Sequence, residues 1–251
     1  MKYLGIEIDK PKIGVFDFSS CEGCELELTN NEDSLIDFLN LVEVVNFREI
    51  SSDALDNYDI AFIEGSITRK DDVERVKKIR ANAKVLVAIG ACATFGGVNF
   101  RKNKFKLDKI KKDIYGDKEI DTMEVHRVAD IVKVDFNIYG CPISKAEVER
   151  IIVDIVTGAD IRTSANPVCF ECQQNMNICV FELGEICLGP ITRCGCNSIC
   201  TNSRTACLGC RGPAEDPNID MMKRIMKEHG FTTAQIREKM EFFNGFSGVK
   251  I

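Results

Sequence analysis

Thirteen of the 251 residues are cysteine, and their placement is the chemically loaded feature of the chain. Thiolates ligate soft metal ions or act as redox nucleophiles, whereas a neutral cysteine packs as a small hydrophobe. Four stand apart: Cys21 and Cys24 form a C-x-x-C pair, Cys92 ends a Gly-Ala-Cys stretch and Cys141 opens a Cys-Pro. The other nine crowd between Cys169 and Cys210. Eight of these fall into two consecutive quartets, Cys169, Cys172, Cys179 and Cys187, then Cys196, Cys200, Cys207 and Cys210, with Cys194 left over. Packing does not explain so many thiols among so much Gly, Pro and Asn.

Each later quartet carries one C-x-x-C pair, a strong pattern for two metal centres and an ambiguous one for the metal. Zinc ribbons use such pairs, and so do iron–sulfur sites. A C-x-x-C alone would suggest a thioredoxin-like redox pair, but the companion cysteines weigh against that. Three centres in one chain suit an electron relay, and zinc has no redox chemistry.

The elements that must position these thiols follow from hydrophobic patterning. Short apolar runs at 12–18, 42–47, 59–66, 84–92 and 132–142 read as strands. Helical patterns fall at 25–41, 71–83, 101–121 and from a Ser144 cap to Val156, with Glu147 as capping-box partner. Strands alternating with helices predict an α/β fold, a flavodoxin-like doubly wound parallel sheet over residues 1–160. Spacing alone does not fix the strand order. In such sheets ligands bind beyond the carboxyl ends of the strands. Cys21 and Cys24 follow the first strand, Cys92 the fourth and Cys141 the fifth, so the fold would bring all four to one rim. Residues 161–251 read as a Cys-rich, mostly irregular domain that needs a metal to order it, followed by two short helices after Asp220 whose Met, Ile and Phe stripes read as core.

Composition narrows the function classes. Hydrophobic residues make up 45% and the formal net charge is −6, values that fit a globular protein and argue against a nucleic-acid partner. No stretch approaches the roughly 20 apolar residues of a membrane span, and the N-terminal residues carry no export pattern, so the expected location is the cytoplasm, where thiols stay reduced. There is no G-x-G-x-x-G after a strand, so dinucleotide binding is not expected.

The stretches SCEGCELEL (20–28), DIAFIEGSI (59–67), AIGACATFGGV (88–98), YGCPI (139–143), NPVCFEC (166–172) and CLGPITRCGCNSIC with CLGCRGP (187–213) together resemble the small subunit of nickel–iron hydrogenases. In particular they resemble the sulfhydrogenase delta subunit and the small subunit of F420-non-reducing hydrogenases. The resemblance implies three 4Fe–4S clusters: a proximal one on Cys21, Cys24, Cys92 and Cys141, a distal one on Cys169, Cys172, Cys179 and Cys187, and a medial one on Cys196, Cys200, Cys207 and Cys210. Periplasmic relatives use a histidine as first distal ligand and a proline in the medial set. Both positions are cysteine here, which implies all-cysteine distal ligation and a four-iron medial cluster. Cys194 has no role in the pattern. The implied partners are a large subunit that holds the nickel–iron site and an acceptor subunit bearing flavin or further clusters. No catalytic residue is implied on this chain.

Two other classes compete. A complex I-type iron–sulfur subunit shares the first domain but uses adjacent cysteines and lacks the later quartets. A structural zinc protein would have no redox role. Glu22, Glu25 and Glu64 lie beside the first site and read mainly as surface or interface carboxylates. His126 and His229 read as structural, and the basic run 101–118 as a solvated face.

Overall fold

The computed structural model describes residues 10–30, 42–157, 159–161 and 163–249, together with 2–3, 6–7, 36, 39 and 40. The chain divides into two compact units, Met1–Arg162 and Thr163–Ile251.

The first unit opens with a small antiparallel pair, β1 (Lys2–Tyr3) and β2 (Ile6–Glu7). Its main sheet holds five parallel strands: β3 (Lys12–Asp17), β4 (Glu43–Phe47), β5 (Ile60–Glu64), β6 (Val85–Ile89) and β7 (Phe136–Ile138). Their spatial order is β4-β3-β5-β6-β7, the flavodoxin-like order. The central strands are apolar along their length because both faces are covered. With period two, Ile13, Val15, Ile60, Phe62, Val87 and Ile89 point to one face, and Phe16, Ala61, Ile63, Leu86 and Ala88 to the other.

Helices close both faces. α1 (Gly23–Thr29) and α6 (Lys145–Thr157) bring Leu28, Val148 and Ile151 to the first. α2 (Lys70–Asn82) and α5 (Val128–Ile131) bring Val76, Ile79 and Val128 to the second. Between β6 and β7 run α3 (Gly90–Phe95), a 3₁₀ turn (Val98–Lys104) and α4 (Leu107–Tyr115).

Two expected elements are shorter than their apolar runs. The fifth strand begins only at Phe136, because Asp135 turns its carboxylate onto the Leu86 N–H at 2.9 Å and toward Arg80. Val132 and Val134 pack against the second face as loop. The helical pattern over 25–41 yields α1, which ends at Thr29; most of residues 31–41 lie outside the described residues.

The second unit is built from short pieces: α7 (Val168–Gln174), a 3₁₀ turn (Val180–Leu183), α8 (Ile199–Asn202), α9 (Ile219–Glu228) and α10 (Thr233–Met240). α9 is capped by Asn218, whose side chain accepts the Met221 N–H, and α10 by a Thr232–Gln235 capping box. Met222, Met226, Ile236 and Met240 form the core with Leu188, Ile191 and Phe246. α10 stops at Met240. His229 stacks on Phe181 with ring centroids 5.3 Å apart.

Candidate metal centres

The first site is assembled at the carboxyl ends of β3, β5, β6 and β7. β3 runs into a loop carrying Cys21, and Cys24 lies in the first turn of α1. Glu22 at the cap position has φ 60° and offers no side-chain cap. The first-turn N–H groups of α1 are met from the neighbouring strand instead. Glu64, the last residue of β5, accepts Cys24 N–H at 3.2 Å and Glu25 N–H at 2.8 Å. The same loop is fastened to the β5 end by Phe18 N–H to Glu64 O at 2.8 Å, and by Asn99, whose amide donates to Ser19 O at 2.8 Å. Cys92 lies in the first turn of α3, directly after β6. Ala91 N–H donates to Gly140 O at 2.6 Å, which ties that turn to the Gly140–Cys141 turn beyond β7.

Cys24, Cys92 and Cys141 each feel neighbouring thiols. Burial first, then the Glu64 charge, raises the Cys24 thiol, with further contributions from Cys141 and Cys92. Burial, then Cys141 and Cys21, pushes Cys92 up to about 12. Burial, then Cys21, raises Cys141. The backbone around them leaves no room for side chains. A Cβ on Gly90 (φ 78°) would stand 2.4 Å from Cys24 Sγ, and one on Gly97 (φ 58°) 2.7 Å from Cys92 Sγ. Burial and mutual repulsion thus make the charged form costly for Cys24, Cys92 and Cys141. Bound iron would reverse that cost, because ligation holds the thiolate form.

The second set lies in the Thr163–Ile251 unit. Cys169 and Cys172 sit one turn apart on α7, on one face. With Cys179 and Cys187 they line a cavity of about 100 Å³, closed by Val168, Phe181 and Pro190 among others. Burial, then Cys187, Cys172 and Cys179, pushes Cys169 up to about 12. Cys187 Sγ accepts N–H groups of Gly189 and Cys207, each at 3.4 Å. A Cβ on Gly189 would lie 3.3 Å from Cys187 Sγ and 3.5 Å from Cys169 Sγ.

The last set is less tightly joined. Cys207 is deeply buried, and burial, then Cys187 and Cys210, raises its thiol well above the usual range. Cys196 is raised by burial, with Arg211 lowering and Glu171 raising it further; Cys200 is raised by burial alone. The leftover Cys194 is buried at 3% exposure, and burial raises its thiol too. Among the described residues no three His, Cys, Asp or Glu side chains converge tightly enough to hold a single metal ion.

The carboxylates correct one expectation. Glu25 and Glu64 are not surface groups: each is 2% exposed. Glu22 remains near the surface, paired with Arg48 at 3.0 Å. Sequence patterning misses the helix-capping role of Glu64 because its partners lie 39 and 40 residues away. Burial first, then Glu64, pushes the Glu25 carboxyl up to about 8 from an ordinary 4.5. Between those values the folded chain keeps a proton that the unfolded chain releases, so stability falls as pH rises through that window. Glu25→Gln, which carries no charge, is therefore expected to gain stability over the parent chain as pH rises from 5 to 9. Urea midpoints at the two pH values check this; an equal difference at both would count against it.

The stretch 21–155, just over half of the chain, matches the family described as NADH ubiquinone oxidoreductase, 20 kDa subunit. Sulfhydrogenase 2 subunit delta of Pyrococcus furiosus is 35% identical over 86% of this chain and 92% of its own length. The iron–sulfur subunit of the F420-non-reducing hydrogenase of Archaeoglobus profundus is 22% identical over 77% of this chain and 79% of its own. A solved chain of the actinobacterial-type NiFe-hydrogenase from Ralstonia eutropha H16 shares the fold, with a TM-score of 0.59 at 16% identity, covering 95% of this chain and 90% of that one.

Proposed function

Because the chain belongs to the NADH ubiquinone oxidoreductase 20 kDa subunit family, with the sulfhydrogenase delta subunit as a relative at 35% identity, we propose that it is the electron-transfer small subunit of a NiFe hydrogenase. The observation that carries this reading is the meeting of Cys21, Cys24, Cys92 and Cys141 at one rim of a parallel sheet. The titrations of Cys24, Cys92 and Cys141 are each shifted by neighbouring thiols, and glycine at positions 90 and 97 lets backbone approach the Cys24 and Cys92 sulfurs more closely than any side chain would allow. A second cavity ringed by Cys169, Cys172, Cys179 and Cys187 supports it, since a cavity between thiols suits a multi-iron group.

On this reading residues 1–160 hold the proximal 4Fe–4S cluster, and residues 161–251 hold the distal one on Cys169, Cys172, Cys179 and Cys187 and the medial one on Cys196, Cys200, Cys207 and Cys210. When bound, such clusters supply one-electron redox chemistry at potentials set by burial and by N–H groups aimed at sulfur. This chain's own residues hold the thiols in place. The Gly189 and Cys207 N–H groups point at Cys187 Sγ, and the Glu64 carboxylate fixes the turn that carries Cys24. The nickel–iron site belongs to a separate large subunit in this reading, and electrons leave to an acceptor subunit bearing flavin or further clusters. Phe170, Met176, Ile178, Leu183 and Ile199 are exposed large apolar side chains close in sequence to the second and third sets, and exposed groups of this kind suit contact with a partner. No helix among the described residues is long and apolar enough to cross a membrane, and the expected location is the cytoplasm.

Iron, sulfide and zinc analysis of anaerobically purified protein tests the proposal. The expected result is a brown protein with about twelve irons per chain, four for each all-cysteine cluster. Cys24→Ser should lose about four of these irons and leave the rest. A colourless protein with stoichiometric zinc would refute the relay.

A further inference from the structure

Glu171 stands between two proposed ligands on α7, Cys169 and Cys172, yet its side chain serves the other quartet. Its Oε1 accepts the Gly195 N–H at 2.8 Å. Its Oε2 accepts the Ser198 N–H at 3.1 Å and lies 3.9 Å from Cys196 Sγ. The carboxylate thus holds the loop that presents Cys196.

Arg211 follows Cys210 directly and is 1% exposed, which makes it the bulkiest fully buried side chain described. Its Nε donates to the carbonyls of Arg193 at 3.2 Å and Cys194 at 3.0 Å. A guanidinium stays charged at any pH the protein meets. Taking it out of water is costly, and an apolar side chain of similar volume would fill the space more cheaply. Cys196 therefore lies in the field of a fixed buried cation and of a fixed carboxylate.

Reduction adds negative charge to a cluster and its thiolates. A buried cation nearby favours the reduced form, and a carboxylate disfavours it. We propose that Arg211 and Glu171 are opposed positioning residues that set the reduction potential of the centre held by Cys196, Arg211 raising it and Glu171 lowering it. The inference rests on the reading of Cys196, Cys200, Cys207 and Cys210 as a cluster site.

The test is an EPR-monitored redox titration of the anaerobically purified full chain, alongside iron analysis, for the parent and for Glu171→Gln, Arg211→Met and Arg211→Lys. Glu171→Gln should make one cluster easier to reduce by about tenfold in equilibrium constant, which is about 59 mV for one electron. Arg211→Met should move the same cluster the other way by a similar factor, and Arg211→Lys, which keeps the charge, should restore most of it. A merely structural role would not give shifts of opposite sign. If Arg211→Met does not fold, Glu171→Gln decides alone: an upward shift supports the assignment and an unmoved potential overturns it. Full iron content with unmoved potentials, or shifts of the same sign in both variants, would also overturn it. A parent protein with zinc and no paramagnetic cluster would instead bring down the cluster reading beneath it.

Discussion

Gly90→Ala is expected to strip the first thiol cradle of its metal while leaving the second unit loaded. Two separate effects act at this position. Gly90 has φ 78°, and an alanine there costs about 1–2 kcal/mol from backbone sterics. The added Cβ would also stand 2.4 Å from Cys24 Sγ, well inside contact distance. Relief by shifting backbone costs about 1–3 kcal/mol more in a packed interior. It would also move Cys24 or the Ala91 N–H to Gly140 O bond, and so open the arrangement of Cys24, Cys92 and Cys141. The measurable result is a loss of about four irons out of about twelve, with the visible absorbance falling in proportion. Gly230→Ala is the control. Its φ is 84°, but nothing lies within 4 Å of its Cβ position, so it should lose stability and no iron. Equal iron in the Gly90 variant and the parent would show that the crowding does not matter.

Removing iron with a chelator under anaerobic conditions is expected to melt the stretch 168–210 and spare the parallel sheet. The stretch has little to hold it. α7 has seven residues and α8 four, far below the roughly 12–15 that an isolated helix needs in water. Its apolar anchors are few: Val168, Val180, Phe181, Leu188, Ile191 and Ala206, with Ile186 partly buried beside them. Its interior is lined with thiols that metal ligation would cross-link, and binding energy of that kind is folding energy. The sheet needs no such help, because Ile60, Ile63, Leu86, Val87 and Ile89 are all at most 1% exposed within it. Hydrogen exchange read by mass spectrometry should show amide protection in 168–210 falling by about a hundredfold or more on chelation, with β5 and β6 unchanged. Unchanged protection in both units would mean that the Cys-rich stretch folds on its apolar contacts alone.

Period and composition make the sheet legible, because strands buried on both faces read as continuous apolar runs. Their order is not legible, since parallel strands are joined through helices and pair with partners distant in sequence. The start of α1 is hidden for the same reason: Asn30, Asn31 and Asp33 suggest a late beginning, while the cap that starts the helix at Gly23 comes from Glu64 on another strand. The basic stretch 101–121 reads as one helix and is a 3₁₀ turn followed by α4, with Phe105 and Lys106 extended between them. The candidate ligands are visible because cysteine type and spacing are local. Glu171 and Arg211 are invisible because a carboxylate and a guanidinium look like surface residues until burial and partners are known.

The Glu64 cap has a practical meaning for protein engineering. A peptide bearing SCEGC, or that segment spliced into a foreign scaffold, would lack the acceptor that organises its turn, so the motif is not a portable cassette. Any transplant must bring a carboxylate from an adjacent strand at matching height, and a designer who copies only the thiols should obtain a floppy loop with weak metal retention.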